Sequence, residues 1–93
     1  MKINQEDNLK KGRFFIEIEN KLMAEMTYTY AGIDKIIIDH TEVNPILKGK
    51  GIGYDLLDAA VNFVRESNLK IIPLCPFAAS VFRKKKEYSD TLN

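Results

Sequence analysis

The chain has 93 residues, 45% hydrophobic and 29% charged, with a net charge of +1. That suffices for one domain, residues 1–93, with one modest core, and the balance is that of a globular rather than a disordered segment. A charge so close to zero gives no concentrated positive field, which argues against general binding to a nucleic-acid backbone.

Residues 1–11 are polar and are expected to be loosely held. From Gly12, Phe14, Ile16 and Ile18 alternate with Phe15, Glu17 and Glu19, a strand pattern, and Asn20-Lys21 is the expected tight turn. Residues 22–30 alternate most clearly: Leu22, Ala24, Met26, Tyr28 and Tyr30 share one face against Glu25, Thr27 and Thr29, as in a half-buried antiparallel strand. Residues 35–43 are a third strand. Their run Ile36-Ile37-Ile38 predicts burial on both faces, and Pro45 ends the strand because it has no N–H to donate. Residues 52–68 place Ile52, Leu56, Ala59, Ala60, Phe63 and Val64 three and four apart, the main helix, with Asn68 as its stop. Residues 70–75 form a short strand parallel to the third, completing a βαβ unit. Pro76 opens a second helix to about residue 85, and the tail after Tyr88 carries no firm pattern. The expected class is α+β with an α/β-like half.

Between the third strand and the main helix lie Lys48, Gly49, Lys50, Gly51, Ile52, Gly53 and Tyr54, holding three of the five glycines. Alternate glycines let successive backbone N–H groups turn toward one point, and the helix that follows adds positive potential at its N-terminus. The matching ligand is a phosphate or pyrophosphate held by main-chain donors. The bland alternative is a glycine-rich connection without a ligand.

This loop resembles the coenzyme-binding motif of the GCN5-related N-acetyltransferases, the GNAT superfamily: Gln or Arg, two residues, Gly, one residue, then Gly or Ala. Lys48, Gly51 and Gly53 occupy those places, with Lys48 a departure that keeps the positive charge, and Val43 and Pro45 match the lead-in. Further along, His40-Thr41-Glu42-Val43, Pro73-Leu74-Cys75-Pro76-Phe77 and Glu87-Tyr88 resemble a compact GNAT subgroup of this length, with a match from about residue 40 to residue 92. The resemblance implies a small GNAT fold and acetyl-coenzyme A as co-substrate, its pyrophosphate held by the backbone of Lys48, Gly49, Lys50, Gly51, Ile52, Gly53 and Tyr54 beside Val43.

Acetyl transfer to an amine needs a neutral amine, a stabilised carbonyl oxygen and a proton for the departing thiolate. Many GNATs supply that proton from a tyrosine on the last helix, where this chain has Phe82. Cys75, just before a helix N-terminus, is the substitute: a proton donor, or an acceptor of the acetyl group in a two-step route. Alternatively it is a small buried hydrophobe. His40, the only histidine, has the pKa range of a general base, with Glu42 two residues on. Its face is expected to be that of Ile36 and Ile38, which leaves a structural role open. The basic run Arg83-Lys84-Lys85-Lys86 is either a solvated helix end or a contact for the adenosine end of the coenzyme.

One cysteine forms no internal disulfide, and one histidine 35 positions away from it makes no metal spacing, so no metal is expected. The first residues lack the apolar centre of a signal peptide and no apolar run approaches membrane-spanning length, making the cytoplasm the expected location. Two functions compete: an acetyl-CoA-dependent N-acetyltransferase with an unidentified amine or protein acceptor, and a non-catalytic coenzyme A-binding module acting as sensor or partner subunit. A homodimer in which a second copy completes the acceptor wall is a further expectation.

Overall fold

The computed structural model describes all of residues 1–93. Strands β1 (Asn4–Asp7), β2 (Lys11–Ile18), β3 (Lys21–Tyr30), β4 (Lys35–Val43) and β5 (Lys70–Pro73) make one sheet in chain order. Helix α1 (Ile52–Ser67) links β4 to β5, helix α2 (Pro76–Lys84) follows β5, and 3₁₀ segments occupy Pro45–Leu47 and Lys86–Thr91. Neighbours are antiparallel from β1 to β4, and β4 and β5 are parallel. This is the expected α+β arrangement with one strand more.

The extra strand corrects the expectation of a loose N-terminus. Asn4 to Asp7 carry no apolar alternation, yet they pair with β2 from Asn4↔Phe15 to Asp7↔Gly12. Side chains hold the strand in place. The Asp7 carboxylate accepts hydrogen bonds from Tyr28 Oη (2.6 Å) and Tyr30 Oη (2.7 Å), and Gln5 Nε2 donates to Tyr28 Oη (2.8 Å). Tyr28 reaches Asp7 by crossing Gly12, where a Cβ would collide with its hydroxyl. Burial pulls the Asp7 carboxyl upward, but the two tyrosine hydroxyls and the Leu9 N–H outweigh it and leave its pKa below the ordinary value.

Both helices pack on one face of the sheet. Phe14, Ile16, Met26, Tyr28, Ile36, Ile38 and Ile71 meet Leu56, Ala60, Val64, Ala78 and Val81 in a single core. Phe63 of α1 stands 5.9 Å from both the Phe14 and Tyr28 rings. The other face carries no helix, so Ile37 is half-buried, and the expectation of burial on both faces of this strand is corrected. On that bare face Phe15 is buried beneath the Arg13 guanidinium, 4.0 Å above its ring, and Arg13 pairs with Glu6 and Glu25 at 2.8 Å each.

Turn chemistry accounts for the connections. Ile18 and Lys21 are paired, so the β2–β3 turn is Glu19-Asn20, one residue earlier than expected, with both residues at positive φ (53° and 65°) as a two-residue hairpin requires. Asn68 caps α1 in the left-handed region at φ 57°. The tail is ordered by long-range contacts. Tyr88 is buried and donates to Asp58 Oδ1 (2.9 Å), Arg65 grips Asp90 (2.8 and 3.0 Å), and Asn93 N–H reaches the Ile71 carbonyl (3.0 Å). The last residues thus strap α1 to the outer edge of β5.

Candidate active site

The parallel strands β4 and β5 pair from Lys35↔Lys70 to Ile38↔Pro73 and then part. At the parting point the Ile38 carbonyl accepts both Leu74 N–H (3.0 Å) and Cys75 N–H (2.9 Å). Beyond it β4 continues to Val43 against β3 alone, so its other edge faces an opening. Pro73 contributes by withholding a donor at the last paired position.

A one-residue bulge sits at the same level. Tyr28 pairs with Ile38 and Thr27 with His40, which leaves Asp39 unpaired. Asp39 is held from β3: its carboxylate accepts from the Thr27 hydroxyl and, at 3.3 Å, from the Thr29 hydroxyl. The extra residue inverts the alternation that follows. Strict alternation from Ile36 and Ile38 would send His40 into the core. Instead His40 lies opposite Thr27 on the bare face, exposed, with Nε2 3.6 Å from Glu42 Oε1. Thr41 lies opposite the fully buried Met26 on the helix face. There the Cys75 thiol donates to Thr41 Oγ1 (3.3 Å). The expected placement of His40 beside Ile36 and Ile38 is therefore corrected, for a reason the hydrophobic pattern does not carry.

The glycine loop is anchored at its approach and open at its tip. Asn44 N–H is tied to the Met23 carbonyl (2.8 Å) and Asn44 Oδ1 caps the 3₁₀ turn through Ile46 N–H (2.9 Å), which fixes the approach from Val43. Gly49 and Gly51 take left-handed backbone at φ 79° and 72°, with open space where a Cβ would stand. Gly53 is different: a Cβ there would come 2.6 Å from Phe77 Cζ. The absent Cβ lets the first turn of α2 pack on the first turn of α1, which brings Cys75 and the loop to the same end of the two helices. No protein acceptor takes the backbone N–H of Gly49, Lys50, Gly51, Ile52, Gly53 or Tyr54, and Gly51 offers no side-chain cap. Six successive donors thus have no protein partner at the positive end of α1.

Charges near the loop are mixed. Lys48 and Lys50 are exposed, and Lys85 of the basic run reaches toward the loop, its Nζ 5.4 Å from the Tyr54 ring centroid and 5.6 Å from that of Tyr88. Asp58 is engaged by Tyr88, whose pKa is pushed up to about 12 by burial and then by that carboxylate. Phe82 is buried edge-on to Tyr88 (6.2 Å between centroids) and contributes no hydroxyl. The structure therefore brings Val43, residues 48–54 and Cys75 to one side of the opening, with His40 across the sheet from Cys75. Sequence reasoning gave no role to Asp39, and it named Thr41 and Phe77 only as members of the motifs that carry the resemblance. Only the bulge makes Asp39 and Thr41 notable, and pattern does not announce a bulge.

Known proteins match this arrangement. The profile of the GCN5-related N-acetyl-transferase family matches residues 13–91. Protein NATD1 of Xenopus tropicalis is 32% identical over 74 residues, 78% of this chain and 68% of its own length. A GCN5-like protein from Staphylococcus aureus, solved by NMR, superposes with a TM-score of 0.75 at 40% identity, over 97% of this chain and 87% of that one. A Clostridium acetobutylicum protein assigned as an acetyltransferase and solved with acetyl-CoA shares the fold, with a TM-score of 0.65 at 23% identity over 80% of this chain and 55% of its own. With its parted β4 and β5, its uncapped glycine loop and a family profile spanning most of its length, the chain belongs to the GCN5-related N-acetyltransferases.

Proposed function

We propose that this chain is an acetyl-CoA-dependent N-acetyltransferase whose acceptor is an amine. The observation that carries the reading is the run of six free N–H donors from Gly49 to Tyr54 at the start of α1, on the same side of the sheet as Cys75. Main-chain donors at a helix start suit the two charges of a pyrophosphate. The unpaired edge of β4 would run beside the pantetheine arm and bring the thioester toward Cys75.

In the direct route the neutral amine attacks the thioester carbonyl. A tetrahedral intermediate forms, the C–S bond breaks, and the Cys75 S–H supplies the proton to the coenzyme thiolate. In the two-step route the Cys75 thiolate attacks first, the coenzyme thiolate leaves, and the amine then takes the acetyl group from Cys75. The Thr41 hydroxyl, 3.3 Å from the Cys75 sulfur, orients it for either role. His40, exposed on the bare face, would take the proton from an amine that arrives there. Cys75→Ala is expected to lower turnover about a hundredfold, the usual scale of a lost proton donor, with acetyl-CoA affinity nearly unchanged. Equal turnover would remove Cys75 from the chemistry.

A second reading, a coenzyme-binding module without turnover, is favoured by the buried Phe82 in place of a tyrosine hydroxyl. Incubation with acetyl-CoA and a panel of polyamines, lysine peptides and small amines separates the two. Saturable coenzyme binding with no acetylated product in any case would favour the module.

A further inference from the structure

We infer that Asp39 is a positioning residue of the acetyl-transfer site, holding the β4 bulge that sends His40 and Thr41 to opposite faces of the sheet. The inference rests on the acetyltransferase reading for its meaning, and on β3–β4 geometry for its substance. Asp39 is the one residue of β4 between Ile38 and His40, has no partner on β3, and is exposed. Both hydroxyls that it accepts, Thr27 and Thr29, come from the neighbouring strand and flank Tyr28. A bulge leaves one residue's backbone outside the ladder, a cost that a local contact can offset. Here the local interaction is charge-assisted and two-handed, one carboxylate oxygen for each threonine.

Two consequences follow from the bulge. The first concerns which side chain meets Cys75. Without the bulge, with Asp39 in the ladder opposite Thr27, His40 would point to the helix face and Thr41 to the bare face, and Cys75 would face an imidazole rather than a hydroxyl. With it, the Cys75 thiol is bonded to Thr41 and the imidazole is kept for the other side. The second concerns access. Both N–H groups that follow Pro73 converge on the Ile38 carbonyl immediately before Asp39, so the strands part where the bulge begins. The bare face offers the acceptor a shallow polar groove of about 540 Å³ that runs from Glu6 and Arg13 to Asp39.

The test uses three variants of the intact chain. Asp39→Ala removes the acceptor, Asp39→Asn keeps one carbonyl for one threonine, and Thr27→Val with Thr29→Val removes the donors without touching β4. The double valine variant preserves β-branching, so it retains a strand-compatible fold if Asp39→Ala does not. Three readouts are compared with the parent: the NMR cross-peaks joining His40 to Thr27 and Thr41 to Met26, the rate of Cys75 alkylation by iodoacetamide, and the Kd for acetyl-CoA. The inference predicts loss of both cross-peaks and a change in alkylation rate of about tenfold or more in Asp39→Ala and in the valine pair, with partial rescue by Asp39→Asn, since a displacement of about 1 Å commonly carries effects of this size. Acetyl-CoA Kd rises severalfold in the same two variants, because losing the bulge shifts the β3–β4 register as far as Asn44, whose N–H ties the start of the glycine loop to the Met23 carbonyl. Retention of both cross-peaks and of the parent alkylation rate in the valine pair would overturn it. Failure of the parent itself to bind acetyl-CoA would instead strike the acetyltransferase reading, and the cross-peaks would still decide whether Asp39 sets the register.

Discussion

Gly51 and Gly53 stand two residues apart and are glycine for different reasons. Gly51 sits at φ 72° with nothing near its missing Cβ, so Gly51→Ala meets backbone strain alone, about 1 kcal/mol. Gly53 lies against Phe77, and Gly53→Ala must displace a ring wedged between two helix starts, about 1–3 kcal/mol as for other overpacked sites. Urea unfolding of the two variants separates the mechanisms. A Phe77→Leu change should recover part of the Gly53→Ala loss and none of the Gly51→Ala loss. Sequence resemblance marked both glycines equally, because a motif records that Cβ is absent and not what its absence admits.

At the same scale, Asp7 carries a pH signature. Its carboxyl has a folded-state pKa below the ordinary value, so its contribution to stability is complete above the unfolded carboxylate range and is lost as pH falls through the lower folded value. Tyr30 is the mirror case. Burial and then the Asp7 carboxylate push its pKa up to about 12, so its contribution holds below the unfolded tyrosine value of about 10 and disappears as pH rises toward the folded one. In thermal unfolding as a function of pH, Asp7→Asn should flatten both the acid limb below about pH 4 and the alkaline limb above about pH 10 relative to the parent. Unchanged limbs would mean that the Asp7 network contributes nothing to folding.

Among the elements, the ones that were legible are those with strong period. The alternation in β3, the apolar stripe of α1 and the bounds of β4 all follow from residues 22–68, because burial on one face writes itself into every second or every third-to-fourth residue. What stayed hidden was held by contacts between distant residues. β1 is Asn-Gln-Glu-Asp, poor strand formers that pair because Asp7 meets two tyrosines from β3. The tail is ordered because Tyr88 finds Asp58 and Arg65 finds Asp90. Tyr88→Phe should therefore destabilise the fold by about 1.5–3 kcal/mol, the range for a hydrogen bond to a charged group, measured by urea unfolding. A loss within error would reassign the strap to apolar packing of the ring. The β4 bulge was illegible for another reason: one residue leaving the ladder inverts every face beyond it without any change in the sequence. That is why Cys75 and the loop were foreseen as parts of one site, whereas the separation of His40 from Cys75 was not.

For the whole molecule, the compact size has a structural correlate. One face of the sheet is covered by both helices and the other is bare, with a polar groove from Glu6 and Arg13 to Asp39. No helix is long and apolar enough to cross a membrane. The central claim is that the uncapped loop is a coenzyme site, and the direct measurement is a calorimetric titration of acetyl-CoA into the purified chain at moderate salt. The account predicts saturable one-to-one binding, with the fold stabilised by about 2.7 kcal/mol when the coenzyme reaches about a hundred times its Kd. Absence of heat and of thermal stabilisation at millimolar coenzyme would contradict it.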